Sequence, residues 1–220
     1  MSEEYKNPMR VYWDSIDKPY QMGAQKHRLY MLDLLRDKGA KSLLDVGCGT
    51  GPIYDLVVNN EEERWDNITK YKGTDYSEDM IRSCKEQFPY GDFEVQDGRD
   101  LMENDETWEC VLLLHALDHV KEYQQVIKEA ARVSSKYVCI VLWREFAHEG
   151  VAINDRNMMG KEEGQEPWED TYLMQFSTES LETEFKKNGL VIEAVAEGEQ
   201  LNSGQSRWNF LYLLRKKDTL

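Results

Sequence analysis

The sequence predicts a single α/β domain of the Rossmann-like class, with a seven-stranded, mostly parallel sheet, an antiparallel C-terminal strand and helices on both faces. Strand-sized apolar runs alternate with longer amphipathic segments, which is the pattern of strands separated by helices. A glycine-rich turn also lies between the first apolar run, which ends at Val46, and a helix starting at Pro52. A chain of 220 residues, 40% of them hydrophobic, is long enough for one packed domain and short for two.

Seven apolar runs are the predicted strands: Ser42–Val46, Tyr71–Thr74, Asp92–Gln96, Glu109–Leu114, Tyr137–Trp143, Leu190–Ala196 and Trp208–Arg215. We expect helices between the first six strands, and the clearest helical segments are Gln21–Lys38, Pro52–Val58, the segment capped by Ser77, Val120–Val133 and Thr178–Lys187. The last two strands are joined by a short polar loop. They are predicted to be antiparallel, because a parallel return needs a crossover of about a dozen residues.

Two segments interrupt this alternation. Asn59–Lys70, which contains Glu61–Glu63 and Trp65, is interpreted as a surface insertion. Residues 144–176 follow no clear period and are predicted to be an excursion with room for a short helix.

Charge and composition exclude several classes of protein. The formal net charge of −15 repels polyanions, so nucleic acid is not the expected partner. No apolar run is long enough for a bilayer span, and the charged start MSEEYKNPMR is unlike a secretory signal, so we expect a cytoplasmic protein without membrane contact. The four cysteines form no C-x-x-C pair, which argues for reduced core thiols rather than a disulfide framework or a zinc site.

The glycine-rich turn is the most informative segment. Its glycines follow the spacing Gly47-x-Gly49-x-Gly51, whereas a dinucleotide fingerprint is G-x-G-x-x-G and would have its last glycine at Pro52. Asp45 precedes the first glycine by two residues, where it would repel a pyrophosphate but suit a ligand with an ammonium group. No Gly-Lys-Ser/Thr follows, so a Walker loop is excluded.

The run Asp45-Val46-Gly47-Cys48-Gly49-Thr50-Gly51 resembles the first motif of class I S-adenosylmethionine-dependent methyltransferases, in the small-molecule branch related to the ubiquinone and menaquinone enzymes. The resemblance extends over three further strand ends and covers roughly residues 40–145. It implies S-adenosyl-L-methionine as cofactor and S-adenosyl-L-homocysteine as product. It places Asp75 on the ribose, Tyr76 and Met80 against the adenine, Asp97 on the adenine amino group, and the backbone at Gly98 on the ring edge. The end of the fourth strand, Leu114 and His115, then lies beside the methionine part and the transferred methyl group. The implied cofactor residues are Asp45, Gly47, Cys48, Gly49, Gly51, Asp75, Tyr76, Met80, Asp97, Gly98, Leu114 and His115.

Three of the four histidines are candidate bases for an acceptor that must lose a proton. His115 and His119 flank the end of the fourth strand, and His148 follows the fifth on the same sheet edge. His115 can equally be a cofactor contact or an incidental polar residue, and His119 an anchor for the next helix. His27 is interpreted as structural.

Aromatic residues indicate a lid and an acceptor pocket. Tyr12, Trp13 and Tyr20 precede the first helix, where a lid over the cofactor and ordinary packing are both possible. Trp143 and Trp168 are the other candidates on the acceptor side. The predicted organisation is a lid and helix segment (1–40), a cofactor-binding core (41–143), a substrate-side excursion (144–176) and a C-terminal helix with a strand pair (177–220).

The predicted activity is methyl transfer to a small-molecule acceptor by in-line displacement, in a monomer or homodimer. A protein or peptide methyltransferase and a non-catalytic binder of adenosylmethionine or adenosylhomocysteine are the alternatives. An NAD-dependent dehydrogenase fits least well, because of the early third glycine and Asp45. No group of Asp, Glu or His stands at a recognised metal-ligand spacing, so no metal is expected.

Overall fold

A computed structural model describes residues 26–58, 65–142, 150–153, 172–197 and 210–217. The helices are α1 (Lys26–Asp37), α2 (Pro52–Val58), α3 (Glu78–Gln87), α4 (Tyr123–Val133) and α5 (Thr178–Lys187), with a short 3₁₀ helix at Leu117–His119. The strands are β1 (Ser42–Val46), β2 (Lys70–Asp75), β3 (Phe93–Val95), β4 (Trp108–Leu114), β5 (Ser134–Leu142), β6 (Gly150–Ile153), β7 (Tyr172–Gln175), β8 (Leu190–Glu197) and β9 (Phe210–Lys216). None of the helices in these ranges has both the length and the apolar character that a membrane crossing requires.

The main sheet has seven strands in the order β3-β2-β1-β4-β5-β9-β8. Strands β1 to β5 are parallel to one another, whereas β9 is antiparallel to both β5 and β8. This confirms the predicted fold class, including the antiparallel C-terminal pair. Because β1 to β4 all run the same way, the loops that follow them meet at one edge of the sheet, where open α/β folds bind ligands.

Alternating side chains of the central strands build a core on each face of the sheet. Val111 and Leu113 of β4 belong to the cluster that includes Ile127 of α4 and Phe185 of α5. Leu112, between them, belongs to the opposite cluster, which also contains Met31, Leu32 and Leu35 of α1 and Ile53 of α2. Helices therefore cover both faces, and all four cysteines are buried and free, as predicted.

The expectation of a helix between the third and fourth strands is wrong, because residues 96–107 contain turns and irregular segments and no helix. Side chains of α4 satisfy the backbone of this segment from outside it. Arg132 donates to the carbonyl oxygens of Leu101 and Glu103, each at 2.8 Å, and Glu129 accepts the Leu101 N–H at 3.0 Å. Backbone groups that are satisfied in this way do not need a helix.

The helix predicted from Val120 begins three residues later, at Tyr123. The preceding turn is the 3₁₀ helix, and Val120 itself is extended, with φ −127° and ψ 116°. An extended residue ends one helix and redirects the chain before the next.

The described part of the excursion contains strands and not the short helix that the sequence allows. Residues 150–153 and 172–175 instead pair as an antiparallel ladder, β6 with β7. Met174 of β7 and Phe176, just after β7, are buried in the core, and the rings of Phe176 and Tyr123 meet edge to face with centroids 4.9 Å apart. This part of the excursion is therefore anchored on the start of α4.

The interpretation of Asn59–Lys70 as a surface insertion is also wrong for its described part. Trp65 and Ile68 are only 5% and 8% exposed and belong to the core cluster around α1. The Trp65 indole N–H donates to Asp33 of α1 at 3.3 Å. This segment therefore packs under α1 instead of projecting into solvent.

Candidate functional site

The glycine loop between β1 and α2 is fixed by backbone geometry. Gly47, Gly49 and Gly51 have φ values of 78°, 55° and 79°, in the left-handed region that side chains rarely adopt. The N–H groups of Gly47 and Cys48 both donate to the Thr74 carbonyl of β2, at 2.7 and 2.9 Å. A Cβ on Gly47 would lie 2.8 Å from the Ala116 Cβ, whereas nothing lies within 4 Å of a Cβ on Gly49. The loop thus packs tightly on the end of β4 and leaves open space at Gly49.

Asp75, at the end of β2, joins the glycine loop to the start of α3. One carboxylate oxygen accepts the Gly49 N–H at 2.9 Å, and the other accepts the Ser77 N–H at 2.9 Å. Ser77 caps α3 by accepting the Met80 N–H at 3.2 Å, as predicted. Tyr76 is half-buried and Met80 is buried. The carboxylate is therefore held beside the open part of the loop, and its role toward a ribose stays a prediction.

Asp45 lies under the loop in a nearly dry environment. It is 2% exposed and accepts a hydrogen bond from the Tyr71 hydroxyl at 2.7 Å. Burial raises the pKa of Asp45 to about 6, against the opposing effects of the Tyr71 hydrogen bond and the charge of the buried Arg28. The role of this carboxylate toward a ligand ammonium group stays a prediction, and its contact with Tyr71 was not foreseen.

Asp97 follows β3 and forms an ion pair with Arg99. The guanidinium approaches both carboxylate oxygens, with Nε 3.0 Å from Oδ1 and Nη2 2.7 Å from Oδ2, and the Arg99 N–H also donates to Oδ1 at 2.9 Å. Burial opposes ionisation here, but these hydrogen bonds prevail and lower the pKa of Asp97. A Cβ on Gly98 would lie 3.1 Å from Val46 Cγ1, so this loop packs closely on the end of β1.

His115 closes the site at the end of β4. Its φ of 58° is left-handed, which is unusual for a residue other than glycine, and its side chain is 8% exposed. Its Nδ1 lies 3.9 Å from the Asp118 carboxylate, which is itself buried. His119 is half-buried in the 3₁₀ helix, against which β7 packs. The structure thus brings His115 and His119 to the same end of β4, next to the half-buried Leu114.

Several neighbours of the site carried no clear signal in the sequence. Arg99 stands two residues after Asp97, and this spacing alone could have suggested the pair. Cys84 of α3 donates its thiol hydrogen to the Gly49 carbonyl at 3.1 Å, and burial raises the pKa of the adjacent Cys48 thiol well above its usual value. Both thiols therefore act as packing groups under the loop.

Some predicted residues lie outside the described ranges. They are Tyr12, Trp13, Tyr20, Trp143, His148 and Trp168, while His27 is described only by its backbone in α1. Their roles stay predictions. Within the ranges that the structure covers, no group of three His, Cys, Asp or Glu side chains could hold a metal ion.

The sheet order and the helices on both faces are those of the Rossmann-like methyltransferase fold. Residues 44–140 match the sequence family described as Methyltransferase domain, so this part of the chain is similar to that family. The match supports S-adenosyl-L-methionine as the cofactor.

Among curated relatives, the ubiquinone/menaquinone biosynthesis C-methyltransferase UbiE of Campylobacter jejuni is 28% identical over 94 residues. The alignment covers 43% of this chain and only 40% of the length of that relative.

Solved structures extend the likeness over nearly the whole fold. Magnesium protoporphyrin IX methyltransferase (ChlM) from Synechocystis PCC 6803, with bound S-adenosylmethionine, has a TM-score of 0.64 at 15% identity and covers 98% of this chain and 100% of that one. The same enzyme with bound S-adenosylhomocysteine has a TM-score of 0.63. The [4+2]-cyclase SpnF has a TM-score of 0.59 at 17% identity, covering 85% of this chain and 80% of that one. At these identities the likeness establishes the fold alone.

Proposed function

We propose that this protein transfers the methyl group of S-adenosylmethionine to a small-molecule acceptor. The observation that carries the proposal is the constellation at the ends of β1 to β4. Three left-handed glycines border an acidic side chain at the end of β2, a second acid follows β3, and a buried histidine follows β4.

The residues present fit the cofactor by their chemistry. The open space at Gly49 lets a ligand approach the backbone, and Asp75 beside it accepts hydroxyl hydrogens from a ribose. Asp97 is held as an anion, which suits an acceptor for an exocyclic amino group. The half-buried Tyr76 and the buried Met80 supply apolar surface for a base, and Leu114 and His115 border the methionine end.

The cofactor supplies an activated methyl group on a positively charged sulfur. The task of the protein is then to align the acceptor and exclude water. His115 and Asp118 are buried, and β7 packs against the 3₁₀ helix that contains Asp118, so this end of the sheet is suited to exclude water. His115 and His119 stay the candidate bases for an acceptor that must lose a proton, a role worth about 10²–10⁴-fold in rate.

The names of the relatives support a small-molecule acceptor, because UbiE is a C-methyltransferase of ubiquinone/menaquinone biosynthesis and ChlM methylates magnesium protoporphyrin IX. The net charge of −15 also disfavours polyanionic acceptors. We keep a monomer or homodimer as the predicted state. A second candidate is a protein that binds the cofactor without methyl transfer, since a protein of similar fold is a cyclase.

The test is formation of S-adenosylhomocysteine. The protein is incubated with S-adenosylmethionine and panels of phenols, carboxylic acids and quinols, and the product is measured by mass spectrometry together with a methylated acceptor. Asp75→Ala should abolish the product. Asp37→Ala is the control and should leave product formation unchanged, because it removes the same charge from a side chain at the end of α1 that is 64% exposed. Tight cofactor binding with no product from any panel would favour the non-catalytic alternative.

A further inference from the structure

The ion pair of Asp97 and Arg99 is held from three directions. Arg99 reaches both oxygens of Asp97, and its Nη1 also lies 3.0 Å from a carboxylate oxygen of Glu122 at the start of α4. The Arg99 carbonyl accepts a hydrogen bond from Gln125 of α4 at 3.2 Å. Both the side chain and the backbone of Arg99 are therefore also linked to the N-terminal end of α4.

This arrangement fixes the orientation and charge of Asp97. Oδ1 accepts from the Arg99 N–H and Nε, and Oδ2 accepts from Nη2 at 2.7 Å and, at 3.2 Å, from the same Nε. Three N–H groups therefore serve the carboxylate, which has about four lone-pair sites, so it retains capacity for one further donor. An ionised carboxylate can only accept, so a ligand group placed there must donate.

We propose that Arg99 is a specificity-determining residue that makes this site select adenine over a base with a carbonyl oxygen in place of the amino group. Arg99 does so as a positioning residue, by holding Asp97 as an oriented, acceptor-only anion. The inference rests on the proposed placement of adenine at Asp97.

The charged groups around Asp97 make the effect of pH predictable. Arg99 of the same loop is the charge that lowers the pKa of Asp97, Glu122 of α4 faces Arg99, and Asp100 meets Asp97 through a backbone bridge. With Arg99 in place, Asp97 stays ionised down to pH 5. Without it, burial is unopposed and the pKa of Asp97 rises, so that a larger share of the variant than of the wild type carries a proton at pH 5 and can donate to a carbonyl oxygen.

The experiment compares two ligands that differ only at the base. S-adenosyl-L-homocysteine and S-inosyl-L-homocysteine, which has a carbonyl oxygen in place of the amino group, are titrated by calorimetry at pH 5.0 and 7.5. Their amino acid parts are identical, so ionisation there cancels in the ratio of the two dissociation constants. The variants are Arg99→Met, Arg99→Lys and Asp97→Ala, with Arg36→Met as a charge-matched control on α1, where Arg36 pairs with Asp33 and Asp37.

The wild-type protein and Arg36→Met should prefer the adenosyl ligand by roughly 10- to 100-fold at both pH values. In Arg99→Met the preference should fall to about threefold or less at pH 5.0 and be partly retained at pH 7.5. Arg99→Lys keeps the charge but not the planar fork, so its preference should be intermediate. A structural defect alone would weaken the binding of both ligands equally and leave the ratio of their dissociation constants unchanged.

Two results would overturn the inference while leaving the cofactor site in place: a preference in Arg99→Met equal to that of the wild type at both pH values, or a preference that survives Asp97→Ala. Binding of the adenosyl ligand by Arg99→Met that is tighter than by the wild type would also overturn the inference, because Arg99 would then block access of the ligand to Asp97. Failure of the wild-type protein to bind either ligand would instead refute the proposed function.

Discussion

Gly47→Ala tests the packing of the glycine loop on β4. The new Cβ would lie 2.8 Å from the Ala116 Cβ, closer than real Cβ contacts allow, on a residue with φ 78°. A left-handed conformation costs a residue other than glycine about 1–2 kcal/mol. Displacing a well-packed neighbour adds about 1–3 kcal/mol. We therefore expect the free energy of unfolding to fall by about 2–5 kcal/mol.

Two other glycines separate the contributions. Gly49→Ala and Gly39→Ala also place alanine at positive φ, 55° and 66°, but nothing lies within 4 Å of either Cβ. Each should cost only the backbone part, about 1–2 kcal/mol. Urea unfolding followed by circular dichroism measures all three variants. The reasoning is refuted if Gly47→Ala is no more destabilising than Gly39→Ala, which lies beyond the end of α1.

Three further predictions concern the surroundings of the site. Burial raises the pKa of Asp45 to about 6, so the folded state binds more protons than the unfolded state between about pH 4 and 6, and stability from this group falls as pH rises through that window. As pH rises from 4 to 7, the unfolding free energy of Asp45→Asn should therefore increase by up to about 3 kcal/mol relative to that of the wild type. Urea titrations measure both proteins across this range, and a difference that does not change with pH would contradict the prediction. Arg132→Met removes the donors to the Leu101 and Glu103 carbonyls and should lower the free energy of unfolding by about 2–4 kcal/mol. Amide hydrogen exchange in residues 101–107 should become faster, and unchanged exchange there would contradict the supporting role of Arg132. Ser77→Ala and Ser177→Ala each remove a helix cap, and each should lower the unfolding free energy measured in thermal melts by about 1 kcal/mol. Only Ser77→Ala should also weaken the binding of S-adenosylhomocysteine. Equal affinity of the two variants for this ligand would count against the proposed site.

Local signals explain which elements the sequence predicted well. The bounds of Ser42–Val46, Pro52–Val58 and Thr178–Lys187 agree with the structure. Each combines a periodic apolar pattern with a stop or start residue next to it in the chain. The Ser77 cap and the antiparallel C-terminal strands depend on equally local features.

The errors came from contacts between distant parts of the chain. Arg132 satisfies the Glu103 carbonyl from 29 residues away, so no local pattern reveals that residues 96–107 need no helix. Trp65 is buried because α1 lies over it, although the acidic residues before it suggested a surface segment.

The candidate site was predictable in its acids and glycines but not in their partners. Glycine spacing and the strand ends located Asp75 and Asp97 by position. Three features arise only when separate strand ends meet at one sheet edge. They are the hydrogen bond from Tyr71 to Asp45, the left-handed backbone of His115 and the ion pair of Arg99 with Asp97.

The most direct test of the central claim is a calorimetric titration of the wild-type protein and Asp75→Ala with S-adenosylmethionine, S-adenosylhomocysteine and NADH. We expect binding of both adenosyl ligands by the wild type, loss of that binding in the variant, and no binding of NADH by either. Folded wild-type protein that binds neither adenosyl ligand would contradict the account and leave the glycine loop as a structural turn.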